Sequence, residues 1–220
     1  MGKKKLVHFQ ENLSFPHLFQ PAFDELIPEF RLRSKWHETF FGNNNPLSLE
    51  LGCGKGEYTV GLASMYPGRN FIGIDWKGAR LWRGCKTAEE LRLRNVAFIR
   101  TQVGQIETLF SPGEVSEIWI TFPDPQVKKE RLRLTAPVFL AKYGNILPPD
   151  GIIHLKTDDA FFFNFTIDVI GAHGHRLIEA TDNLYAGSTH DELSIKTFYE
   201  GKWLGMGKKI CYVKFQLCER

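Results

Sequence analysis

The chain has 220 residues, 43% of them hydrophobic and 24% charged, which excludes wholesale disorder and leaves room for one core of ordinary size. The formal net charge of +3 is too small to mark a nucleic-acid binder by itself, so only the placement of the basic residues can argue for one. No apolar run nears the roughly 18 residues of a membrane span, and the basic start leads into His8, Gln10, Glu11 and Asn12 rather than a signal-type apolar stretch, so the expected address is the cytoplasm, away from membranes. Cys53, Cys85, Cys211 and Cys218 form no CxxC pair and are read as reduced thiols. His173 and His175 have no carboxylate or cysteine at ligand spacing, so no metal is expected.

Residues 1–45 are rich in aromatics and prolines and read as an extension packed on a domain spanning 46–220. Pro28 is suited to open a helix, expected to run to about Phe41, and Gly42 to Pro46 reads as a loop. Strands are then expected at Leu47–Leu51, Asn70–Asp75, Val96–Arg100, Glu117–Thr121, Gly151–Lys156, His175–Thr181 and Lys209–Leu217. Helices are expected after Gly56 to about Tyr66, over Gly78–Leu93, over about Leu134–Tyr143 and over Asp159–Ala172. This alternation predicts an α/β fold: a mostly parallel, Rossmann-like sheet with helices on both faces, closed by an antiparallel edge hairpin.

The first of these strands enters the turn Gly52-Cys53-Gly54-Lys55-Gly56, and the second ends in Asp75, 19 residues after Gly56. Glycines let a ligand approach the backbone, and an acid at that distance can accept hydrogen bonds from both ribose hydroxyls of a nucleoside cofactor. A dinucleotide site reads G-x-G-x-x-G, whereas here the spacing is G-x-G-x-G and Glu57 competes for the place of a phosphate at the helix start. With Glu50 just before the turn, the arrangement favours a cationic cofactor such as S-adenosylmethionine over a nicotinamide, which stays the alternative. The plainer readings are a capping or loop carboxylate for Glu50, a helix cap for Asp75 and a small filler for Cys53.

The fourth strand runs into Phe122-Pro123-Asp124-Pro125, where two prolines fix the backbone around an aspartate and preorganise it over a pocket. Leu49 to Gly56, Gly73-Ile74-Asp75, Phe122 to Pro125 with Lys128, Lys156-Thr157-Asp158 and Thr197-Phe198-Tyr199-Glu200 follow one another in an order that resembles the motifs of tRNA (guanine-N7)-methyltransferases. The resemblance covers roughly residues 45–215. It implies a class I methyltransferase fold and methyl transfer from S-adenosylmethionine to N7 of a guanine in tRNA, expected in the variable loop. It also implies cofactor contacts from Glu50, Asp75 and Asp124, beside Gly52 and Gly54 of the turn. Acceptor contacts are implied for Lys128, Asp158, Thr197, Phe198, Tyr199 and Glu200, with Asp124 and Asp158 as the catalytic pair. The chain departs from the family pattern at Gln126, where tryptophan is usual, at Glu130, where arginine is usual, and at Gln102, which stands in the place of a capping aspartate of the cofactor site.

Guanine N7 has a lone pair and no proton, so no general base is required, and rate should come from alignment and electrostatics. Basic residues gather at Lys77, Arg80, Arg83, Lys86, Arg92, Arg94 and Arg100 with Trp76 and Trp82 among them, at Lys128, Lys129, Arg131 and Arg133, and at Lys3, Lys4 and Lys5 with Arg31, Arg33 and Lys35. The second group is read as an RNA contact; for the first, an RNA contact and a solvated helix face are equal readings. Monomer and homodimer stay open. The alternatives are a class I methyltransferase acting on another RNA or a small molecule, a nicotinamide-dependent oxidoreductase and a noncatalytic binding subunit.

Overall fold

The computed structural model describes residues 3–187 and 190–218, with side chains from residue 5 onward, so the Lys3 and Lys4 side chains lie outside the described residues. The chain forms two compact units, which meet in sequence between Ser111 and Pro112.

In the first unit, β2 (Leu47–Leu51), β3 (Asn70–Asp75) and β4 (Val96–Arg100) occupy the ranges expected from the sequence. β2 and β3 are buried along their whole length, and β4 until its last residue, as parallel strands covered on both sides must be. The pairing is parallel, with Leu51 beside Ile74 and Asp75 beside Arg100, so the carboxyl ends finish at one edge. Helices α2 (Glu57–Met65) and α3 (Gly78–Glu90) pack on these strands, α3 through Leu81, Cys85 and Ala88 on one face.

The N-terminal segment is more regular than its sequence suggests. Helix α1 (Lys3–Glu11) lies on α3, with the His8 ring stacked 3.8 Å from Trp82 and Asn12 Nδ2 donating to the Gly78 carbonyl at 2.9 Å. The short strand β1 (Leu18–Phe19) pairs in parallel with β4. The helix expected to open at Pro28 does not form. Phe30 N–H donates to the Thr108 carbonyl and Arg33 Nε to that of Glu107, so this stretch is tied across to α4 (Ile106–Leu109), and its own backbone bonds are the isolated turns from Arg33 to Phe30 and from Lys35 to Leu32. Ser34 at φ +62° blocks a right-handed helix. Helical backbone begins only at Trp36, as a π-helical stretch to Phe41 ended by Gly42 at φ +64°. Trp36 is fully buried among Phe19, Phe30, Phe40 and Phe110, and its indole N–H donates to the Leu109 carbonyl at 3.0 Å. Aromatic packing, not the proline signal, decides the local backbone.

The second unit holds β5 (Glu117–Thr121), α5 (Pro137–Gly144), β6 (Ile152–Thr157), α6 (Ala160–Ala172), β7 (Arg176–Thr181), α7 (Phe198–Gly205) and β8 (Cys211–Gln216). β5 and β6 are parallel, while β8 runs antiparallel to both β6 and β7. The expected antiparallel hairpin is therefore present, with β8 as its inner strand. α5 starts at Pro137 instead of Leu134, since proline is at home in a first helical turn. α6 begins where Asp159 caps it, its carboxylate accepting the Phe162 N–H at 2.8 Å. α7 is absent from the sequence expectations although its signature was legible: Thr197 and Glu200 form a capping box.

Candidate active site

Gly52, Gly54 and Gly56 all adopt left-handed backbone, at φ +74°, +58° and +68°. The N–H groups of Gly52 and Cys53 donate to the Ile74 carbonyl, which binds the turn to the end of β3. Asp75 completes the brace: one carboxylate oxygen accepts Gly54 N–H at 2.9 Å and the other accepts Lys77 N–H at 2.7 Å. Each oxygen can accept a further bond, so the same group can both shape the turn and receive ribose hydroxyls. Glu50 is buried, and its Oε2 accepts the backbone N–H of Thr59 at 2.8 Å together with the Thr59 hydroxyl, so it anchors the start of α2. Burial, with Glu50 and Asp75 beside it, pushes the Cys53 thiol well above its ordinary range, in keeping with a filler rather than a nucleophile.

Gly56 is also sterically required: a Cβ there would lie 2.5 Å from the Phe98 ring. At Gly54 a Cβ would meet nothing within 4 Å. Gly54→Ala is therefore expected to cost only the left-handed strain, roughly 1–2 kcal/mol. Gly56→Ala should cost a further 1–3 kcal/mol for the overlap. Thermal unfolding of the two variants checks this; equal losses would refute the steric account.

Beside the carboxyl ends of β3 and β4 lies a cleft of about 510 Å³, with Gln20, Pro21, Phe23, Trp76, Gln102 and Gln105 in its wall. Trp76, directly after Asp75, is 60% exposed. Gln102 makes no capping bond with its side chain, and its amide is placed in the cleft wall. An aromatic ring and amide groups, with Arg100, in the wall of a space of this size, reached from the chain position directly after Asp75, suit an adenosine-bearing cofactor.

In the second unit, β5 ends in the turn bearing Asp124. Phe122 N–H donates to the Lys156 carbonyl at 2.8 Å, tying the turn to the end of β6. Phe122 and Gln126 sit at φ +48° and +47°. Left-handed backbone at a phenylalanine before proline costs on the order of 1–3 kcal/mol and persists only where its surroundings hold it. Asp124 is exposed and its Oδ1 accepts the Gln126 N–H at 3.0 Å. Lys128, Lys129 and Arg131 are exposed as well. Arg133, grouped with them from the sequence as an RNA contact, is 4% exposed and bonded to the turn itself, which corrects that reading.

Asp158, just past β6, pairs with Lys208 Nζ at 2.6 Å, and that ammonium lies 4.0 Å from the centre of the Trp203 ring. Two residues earlier, Lys156 is wholly buried and ion-paired with Glu200 at 2.9 Å, and it also donates to the carbonyls of Leu193 and Ile195. Tyr185 donates its hydroxyl to Glu200 at 2.5 Å, and burial with that carboxylate raises the phenol above its ordinary range. Thr197 and Glu200 thus use their side chains on α7 and Lys156, while Phe198 and Tyr199 are exposed on the first turn of α7. The motif Lys156-Thr157-Asp158 was visible in sequence; that its lysine is an internal ion-pair partner was not, because nothing local marks Glu200 as its counter-ion.

Part of the expected basic face is also spoken for. Arg83 pairs with Glu90 and Lys86 with Glu89, and Trp82 is stacked by His8 and donates to Glu11. On α3, Arg83 and Lys86 thus share their exposed face with carboxylates, while Trp82 lies under α1. Among the described residues no group of three or more His, Cys, Asp or Glu could hold a metal ion, and no helix is long and apolar enough to cross a membrane.

Parallel strands ending in a glycine turn braced by an acid, with a nucleoside-sized cleft beside it, define the cofactor half of a class I S-adenosylmethionine-dependent methyltransferase. The crystal structure of the 16S rRNA methyltransferase KamB matches with a TM-score of 0.64 over 83% of this chain and 92% of that one, at 13% identity, which speaks for the fold alone. A methyltransferase family model matches residues 44–213. A protein of Christiangramia forsetii named tRNA (guanine-N(7)-)-methyltransferase is 51% identical over 98% of this chain and 99% of its own length. One of the same name from Bacteroides thetaiotaomicron is 49% identical over 99% and 87%. The chain belongs to the tRNA (guanine-N7)-methyltransferase family.

Proposed function

We propose that this protein methylates N7 of a guanine in the variable loop of tRNA, using S-adenosylmethionine, in the cytoplasm. The observation that carries the reading is one chain holding both the Asp75-braced glycine turn with its adjoining cleft and the strained Asp124 turn tied to the strand that leads to Asp158. Family membership supports the same reaction.

In this reading Asp75 receives the ribose hydroxyls, the Gly52–Gly54 backbone lies against the cofactor, and Trp76 and Gln102 face its base. Glu50 and Asp124 supply negative charge toward its cationic end. The cofactor supplies an electrophilic methyl group on a sulfonium sulfur, which a guanine N7 takes up without losing a proton. No residue of the chain therefore has to serve as a base. Asp124 and Asp158 accept hydrogen bonds from the Watson–Crick edge of a guanine turned out of its stack, and their charge stabilises the cationic product base. Lys128 binds phosphate, and Phe198 and Tyr199 meet the RNA. Thr197 and Glu200 serve the acceptor side by shaping α7. Residues 46–220 act as the catalytic domain and residues 1–45 as its extension, in a monomer or homodimer.

The test is transfer of labelled methyl to unmodified tRNA, followed by cleavage specific for 7-methylguanine, alongside a tRNA whose variable-loop guanine is replaced by adenine. Label in the first and none in the second is expected. Label retained in the second would overturn the assigned position, and no transfer to either, with cofactor bound, would overturn the reaction.

A further inference from the structure

Arg133 is the one member of the basic cluster after Pro125 that turns inward. Its Nε donates to the Pro125 carbonyl at 3.2 Å and an Nη to the Val127 carbonyl at 3.2 Å, so the guanidinium grips the turn just after Asp124. The same group lies 4.6 Å from the ring centre of Phe161 and 4.3 Å from that of Phe165, both on α6. Its carboxylate neighbour is Glu130, at 3.4 Å, whose side chain is 67% exposed and adds little. A buried cation held by carbonyls and aromatic faces is a costly way to fill space, and an apolar side chain would fill it more cheaply. What the guanidinium adds is geometry, a planar fork for two carbonyls with two faces for rings.

The turn thus has two anchors. Its start is fixed to the end of β6 by the bond from Phe122 to Lys156, and its far side is fixed to the first turns of α6 through Arg133. Asp158 lies between those two anchor points in sequence, directly before the cap of α6. We propose that Arg133 is a positioning residue for methyl transfer: it holds the Phe122–Val127 turn against α6, and so sets Asp124 relative to Asp158, without touching RNA or cofactor. The inference rests on the reading of these two aspartates as the acceptor-side groups.

The experiment compares R133K and R133M with wild type in single-turnover methyl transfer across a range of tRNA concentrations. Melting temperature and S-adenosylmethionine affinity are measured on the same samples. Misplacement of a reacting group by about 1 Å costs up to roughly a hundredfold, so the saturating rate constant should fall at least about tenfold in both variants. The tRNA concentration at half-saturation should stay within about twofold, and cofactor affinity should fall by no more than about threefold, since Asp124 is one cofactor contact beside the glycine turn and Asp75. Lysine keeps the charge but cannot fork, so R133K should not rescue. An RNA-phosphate role would instead raise the half-saturating tRNA concentration and be rescued by R133K. A purely structural role would lower the melting temperature and leave the rate per folded molecule unchanged. Either result overturns the proposal. Should R133M fail to fold, Phe165→Leu removes one ring from the guanidinium while keeping both carbonyl bonds, and an unchanged rate constant there also overturns it. Asp124→Asn and Asp158→Asn run in parallel. Full transfer in both sinks the reading of the aspartates, whereas loss in both with wild-type behaviour in R133K sinks the Arg133 inference alone.

Discussion

Asp158→Ala is expected to lower the rate constant for methyl transfer to tRNA by about two orders of magnitude, the usual consequence of removing one group aimed at charge that develops in the transition state. The side chain is largely buried, directly precedes the cap of α6, and its partner is Lys208, an exposed residue lying over Trp203. An ion pair with a half-exposed lysine contributes no more than about 1 kcal/mol, so it is readily exchanged for the edge of a guanine. Lys208→Ala separates the roles. If Asp158 serves the base, losing Lys208 leaves transfer within about threefold of wild type while Asp158→Ala is crippled. If the pair itself is what matters, the two variants fall together and the assignment of Asp158 is wrong. S-adenosylmethionine affinity should be unaffected in both, since the glycine turn and Asp75 belong to the first unit.

Glu200→Ala should be the most destabilising of the single substitutions. Lys156 and Glu200 have no exposed side-chain surface, and removing the carboxylate strands an ammonium on the carbonyls of Leu193 and Ile195. Breaking a buried pair from one side costs about 3–5 kcal/mol. For a chain of this size that lowers the melting temperature by roughly 6–20 °C. The bond from Thr197 N–H to the Glu200 carboxylate is lost with it, while the Thr197 hydroxyl still caps the backbone N–H of residue 200. Lys156→Met combined with Glu200→Leu removes both charges and should be more stable than Glu200→Ala alone, because no unpaired ion remains. Thermal unfolding of the single and double variants decides it, and a double variant less stable than the single would show that the pair itself, not the stranded charge, carries the energy.

The central strands of both units were legible because a strand buried on both faces writes itself as a short apolar run between turn residues. Leu47–Leu51, Asn70–Asp75, Val96–Arg100 and Glu117–Thr121 needed no tertiary information. The glycine turn was equally plain, since three left-handed positions and a close approach to Phe98 admit little else. The N-terminal segment was not legible. The Phe30 N–H and the Arg33 and Trp36 side chains donate to the carbonyls of residues 107–109, and the Trp36 ring meets Phe110, partners some 70 residues away that no local pattern reveals.

The same division runs through the site. The types and order of its groups are properties of the sequence: an acid after the second central strand, an aspartate between two prolines, a Lys-Thr-Asp triplet and a Thr-x-x-Glu box. What each group does with its charge was settled by folding. Burial turned Lys156 and Glu200 into a mutual internal pair, drew Arg133 out of the basic cluster to grip the turn, and covered Trp82 with α1, while Lys128 and Lys129 stayed exposed. A sequence names the charges; whether a charge faces water, RNA or another charge depends on desolvation and on partners brought close only by the tertiary structure.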